Sequence, residues 1–87
     1  MIARYRIEVT PAARRALESL PKKVLKQIDK CILALADNPY PPGSKKLQDT
    51  EDLRRIRVGD YRILYIVEAE RLVIVIVAVG HRREVYR

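Results

Sequence analysis

One cysteine and one histidine in 87 residues rule out several common chemistries. A lone Cys31 excludes an internal disulfide framework. With His81 equally alone, no spacing is present that would hold zinc. Only three glycines occur, and none belongs to a phosphate-cradling loop. No acidic cluster suggests a divalent metal, so no cofactor is expected. Ser19 and Ser44 lack the surroundings of a nucleophile elbow, and a serine triad would have to use the one histidine. Cys31 falls on the apolar stripe of an expected helix, where it serves as a small buried hydrophobe. Nothing in its neighbourhood resembles an activated thiol. The longest apolar run, residues 72–79, is far shorter than the ~20 residues that span a bilayer. No secretory signal precedes the first strand. A soluble, cytoplasmic protein with no membrane partner is the expectation.

Carboxylates are also scarce. Eleven Asp and Glu stand against eighteen Lys and Arg, a formal charge of +7. That excess favours a polyanionic partner, nucleic acid first, over a merely solvated basic surface. Hydrophobic residues make up 48% of the chain, enough for one small domain with one modest core over residues 1–87.

Ile2 to Val9 alternates as a half-buried strand, with Tyr5, Ile7 and Val9 on one face. Thr10-Pro11 reads as an N-cap and first-turn proline, opening a short helix to about Leu20. Pro21 marks a break and opens a second helix. Its stripe is Val24, Leu25, Ile28, Cys31, Ile32 and Leu35, with Lys22, Lys23, Lys26 and Lys30 mostly off it. Asp37-Asn38-Pro39 stops that helix, and a stiff, proline-rich loop runs to Ser44, with Lys45-Lys46-Leu47 at its end. Residues 53–58 and 61–65 form two alternating runs about Gly59-Asp60, a two-residue hairpin loop of the primed type. After a polar turn at 68–71, the β-branched run 72–79 suits a central strand covered on both faces. The order β-α-α-β-β-β predicts an α+β fold: an antiparallel sheet with two helices on one face and the other face free to bind.

The hairpin fixes its own register. Val58 opposes Tyr61, Arg57 opposes Arg62, Ile56 opposes Ile63 and Arg55 opposes Leu64. Arg55, Arg57 and Arg62 then share a face, with Arg57 and Arg62 as direct cross-strand neighbours about 4.5–5.5 Å apart at Cβ. Like charges so placed repel, and an anion held between them is the natural compensation. Exposed edge charges are the blander reading, and the enforced pairing argues against it. Arg55 could instead pair with Glu68 or Glu70. Tyr5, Tyr61 and Tyr65 fall on the opposite face and read as core. An arginine, histidine and tyrosine set could bind a nucleic-acid backbone, or cleave RNA without metal by directing the 2′-hydroxyl onto the adjacent phosphate.

Four segments together carry a resemblance. They are Lys46-Leu47, the basic strand from Leu53 to Val58, Tyr61-Arg62-Ile63-Leu64-Tyr65, and the ending Val79-Gly80-His81-Arg82-Arg83-Glu84-Val85-Tyr86. In this order and spacing the chain resembles the RelE/ParE superfamily of type II toxin–antitoxin toxins, and more closely the RelE-like mRNA interferases. The resemblance implies a ribosome-dependent endoribonuclease that leaves a 2′,3′-cyclic phosphate and a 5′-hydroxyl. It also implies an acidic, RelB-like antitoxin as partner, in a toxin–antitoxin hetero-oligomer, with mRNA and the ribosome as targets. By position, Arg62 and Arg82 match the family's phosphate-binding arginines, and Tyr86 matches the tyrosine at the scissile nucleotide. Arg55 and Arg57 stand where RelE proper has two lysines. An arginine is a poor general base, so proton movement is open to His81, to Tyr86 or to an arginine that merely lowers the leaving group's pKa; the plainer role of His81 is a strand-end histidine bonded to backbone. Lys45, Lys46, Arg54 and Arg83 are expected RNA contacts. A ParE-like gyrase inhibitor, and an inactive relative that only binds RNA or antitoxin, are the competing functions.

Overall fold

The computed structural model describes residues 4–47 and 53–81. Its elements are β1 (Arg6–Val9), α1 (Pro11–Glu18), α2 (Lys22–Asp37), β2 (Lys45–Lys46), β3 (Leu53–Val58), β4 (Tyr61–Glu68) and β5 (Val73–His81). They form one five-stranded sheet, in the order β1-β5-β4-β3-β2, with both helices on one face. The expected α+β fold is what forms, with two refinements. The sheet is mixed, because β1 runs parallel to β5, pairing Arg6 with Val73 through to Val9 with Ile76. The end of the proline-rich loop also adds a two-residue strand, β2, at the far edge, where Lys45 faces Arg55 and Lys46 faces Arg54.

Parallel pairing follows from the connection. Two helices separate β1 from the hairpin, so the chain crosses one face of the sheet before re-entering it; only a crossover of that kind can join parallel neighbours. Thr10 makes this crossover sharp. Its hydroxyl accepts from the Ala13 amide at 3.1 Å, capping α1, and donates to the Val77 carbonyl at 3.1 Å. Pro11 takes the first helical position, where its missing N–H costs nothing. Ser19 closes α1, and α2 starts immediately after Pro21.

The core lies between helices and sheet. Ala13 of α1 and Ile28, Ile32 and Leu35 of α2 pack on Ile56, Ile63, Tyr65, Ile74, Ile76 and Val79. Each fully buried aliphatic side chain contributes about 1.5–3 kcal/mol. Tyr65, completely buried, donates its hydroxyl to the Pro39 carbonyl at 2.8 Å, which ties the loop after α2 to the sheet. Cys31 is half-buried, and burial pushes its thiol pKa up, in keeping with a packing role.

Strand β5 carries the irregularity that decides the site. Leu64 pairs with Ala78 but Tyr65 pairs with Ile76, so Val77 is an extra residue, a β-bulge. The bulge reverses the alternation along β5. Ile74 and Ile76 face the helices before it, and Val79 and His81 face them after it. Gly80 therefore emerges on the other face, directly opposite Arg62.

Candidate RNA-phosphate site

Gly59 takes φ +61°, a left-handed conformation that suits glycine, and makes the tight turn that sets β3 against β4. The register is the expected one: Arg57 opposes Arg62, Arg55 opposes Leu64, Ile56 opposes Ile63 and Val58 opposes Tyr61. Because Ile56, Ile63 and Tyr65 belong to the core, Arg55, Arg57 and Arg62 stand on the face without helices. Lys45 joins them, since it lies opposite Arg55. Two rows result across the sheet: Lys45–Arg55–Leu64–Ala78, and Arg57–Arg62–Gly80.

The cations are graded in depth. Lys45 and Arg57 are exposed, Arg55 is half-buried, and Arg62 is only 7% exposed. Gly80 places no side chain beside Arg62 on this face. Three ion pairs form among the described residues, and none involves Lys45, Arg55 or Arg57. They are Arg71–Glu68 at 2.7 Å, Arg6–Glu8 at 3.1 Å and Arg4–Asp37 at 3.6 Å. The alternative in which Arg55 pairs with Glu68 or Glu70 is therefore not what forms. Glu8 pairs on β1 and Glu68 at the far end of β4, so among the described residues the corner of Lys45, Arg55, Arg57 and Arg62 carries an excess of positive charge. Guanidinium groups present planar forks of donors that match phosphate oxygens. A deep arginine flanked by an exposed one can grip an anion that enters from solvent.

Other residues expected at the site are placed elsewhere. Arg54 and Lys46 oppose each other on the helix-side face. Arg54 donates to Ser44 Oγ at 2.9 Å and lies 4.9 Å from the centre of the Tyr40 ring, so it clamps the loop after α2. His81 also lies on the helix side, in an edge-to-face contact with Tyr61 at 5.8 Å. The bulge at Val77 is the cause: unbroken alternation would have put His81 on the face that carries Arg62. Arg82, Arg83 and Tyr86 lie outside the described residues. Gly80 was not expected at the site, although a glycine within a strand signals a bulge or a close backbone approach.

Against known proteins, residues 7–86 match the family model described as "ParE toxin of type II toxin-antitoxin system, parDE". The chain belongs to the RelE/ParE family of type II toxins. Toxin RelG of Mycobacterium tuberculosis is 31% identical over 84 residues, spanning 95% of this chain and 97% of that protein. The toxin also superimposes on the toxin–antitoxin complex RelBE2 from M. tuberculosis with a TM-score of 0.82, at 30% identity, covering 94% of this chain and 95% of the other. An archaeal RelE–RelB complex from Pyrococcus horikoshii gives 0.81 at 32% identity, covering 97% and 99%.

Proposed function

We propose that this toxin is a ribosome-dependent endoribonuclease that cuts mRNA by metal-independent attack of a 2′-hydroxyl on the adjacent phosphate, acting in the cytoplasm. The observation that carries the reading is the forced juxtaposition of Arg57 with the buried Arg62, on a face where Lys45 and Arg55 add charge. In this mechanism the 2′-oxygen bonds to phosphorus, the bond from phosphorus to the 5′-oxygen breaks, and a 2′,3′-cyclic phosphate and a 5′-hydroxyl are left. Arg62 and Arg57 stabilise the charge that gathers on the non-bridging oxygens, as an oxyanion hole does. By the family resemblance, Arg82 and Tyr86, outside the described residues, share in binding the scissile nucleotide. The 2′-hydroxyl passes its proton to solvent water, and the 5′-oxygen takes one up as its bond to phosphorus breaks. With His81 on the far face, proton delivery falls to Tyr86 or to the leaving oxygen's own solvent, eased by arginine.

The partner in this reading is an acidic antitoxin. Related solved structures are RelE–RelB and RelBE2 complexes, and a face carrying Lys45, Arg55, Arg57 and Arg62 beside apolar Leu64 and Ala78 suits an acidic segment with apolar anchors. The test of the activity is primer extension on a reporter mRNA with and without translating ribosomes. Cuts that require ribosomes support the proposal; none in either setting rejects it. The name of the matching family model supports a second reading, gyrase inhibition as by ParE. A supercoiling assay separates the two.

A further inference from the structure

The ends of β4 and β5 carry a second feature, on the opposite face from the arginines. Where the α1–α2 junction crosses these strand ends, Ala16, Ser19, Leu20 and Pro21 form one wall of a cleft, and Tyr61 and His81 form the other. It encloses about 240 Å³. That is less than the ~300–1,000 Å³ of clefts built for drug-sized ligands, so it suits one flat ring system. Among the described residues its lining includes no carboxylate. Lys22 and Lys23, both exposed, follow Pro21 at its rim and begin α2. The two rings meet at an interplanar angle of 76°, edge against face, and both line the cleft.

Position ties this cleft to the arginines. Tyr61–His81 is the pair immediately next to Arg62–Gly80 in the β4–β5 ladder. A single strand passing over these strand ends meets cations on one face and aromatic rings on the other, one residue apart. Single-stranded RNA is recognised in this way, with backbone held by charge and splayed bases stacked on aromatic side chains.

We infer that the Tyr61–His81 cleft binds a nucleobase of the RNA strand, next to the phosphate held on the arginine face. The inference rests on the reading that Arg57 and Arg62 take RNA phosphate. His81 thereby has a binding role in place of proton transfer, and Lys22 and Lys23 steady the backbone at the cleft's rim.

The test uses the full-length toxin and two trinucleotides, both made uncleavable by a 2′-deoxy sugar before the scissile phosphate. One has all its bases and the other is abasic at the nucleotide beside that phosphate. The base-containing probe should shift the NMR signals of the His81 and Tyr61 rings and bind roughly tenfold more tightly than the abasic one. His81→Ala should erase that tenfold difference while leaving affinity for the abasic probe within about twofold. Tyr61→Leu provides a second variant should His81→Ala misfold. Equal affinity for both probes, or ring signals that do not move with the base, overturns the base site and leaves the phosphate site standing. Failure of both probes to bind at all overturns the phosphate reading, and the base site with it.

Discussion

Arg57 and Arg62 face each other across β3 and β4, one exposed to solvent and the other 7% exposed. Direct cross-strand like charges destabilise a sheet by about 0.2–1 kcal/mol. The toxin keeps both, at a corner where Lys45 and Arg55 add to the repulsion. The arrangement works against stability and in favour of binding an anion.

Removing one member of the pair should therefore stabilise the fold. Arg57→Gln is expected to raise stability by up to about 1 kcal/mol. For a domain of this size that is a melting temperature higher by about 4–8 °C. Sulfate, as a phosphate mimic, should raise the melting temperature of the wild type above that in chloride of equal ionic strength, by linkage to the folded state. The gain should shrink in Arg57→Gln. Thermal melts in the two salts check both points.

Tyr65 should matter for stability alone. Its hydroxyl bonds the Pro39 carbonyl inside the core. Tyr65→Phe removes the donor and leaves that carbonyl buried without it, at a cost of about 1–2 kcal/mol. Urea denaturation should show the loss, while cleavage per folded molecule is unchanged.

Thr10 joins α1 to the bulge. Thr10→Ala removes both the cap on Ala13 and the bond to Val77, and should cost about 1–2 kcal/mol. Thr10→Ser keeps both bonds and should recover most of it. If the bulge depends on that hydroxyl, the Ala variant should also lose protection of the Val79 and His81 amides in hydrogen exchange.

Much of this molecule was legible beforehand because its signals are local. Gly59-Asp60 fixed the hairpin, so the facing of Arg57 and Arg62 followed by counting. Thr10-Pro11 placed the start of α1, and the stripe through Ile28, Ile32 and Leu35 placed the buried face of α2. What stayed hidden depends on contacts between distant segments. The run 72–79 is β-branched throughout, so an extra residue at Val77 leaves no break in its pattern, yet it sends His81 to the helix side and brings Gly80 to Arg62. Nothing local distinguishes a parallel partner for β1 from an antiparallel one. Arg54 looked like one more member of a basic strand. Only the return of the Tyr40–Ser44 loop over it makes it a clamp. On the face away from the helices the β5 run is fully buried at Val73, but Val75 and Ala78 are only half-buried.

In the proposed mechanism the buried arginine of the hairpin holds the scissile phosphate. Primer extension on ribosome-bound reporter mRNA, comparing wild type with Arg62→Ala, tests it most directly. Loss of an oxyanion-type donor predicts a fall in cleavage of about 100-fold or more, with a melting temperature within a few degrees of the wild type, since relief of the repulsion with Arg57 offsets the lost packing. Cleavage retained at near wild-type rate in a folded Arg62→Ala toxin would show that Arg62 does not hold that phosphate.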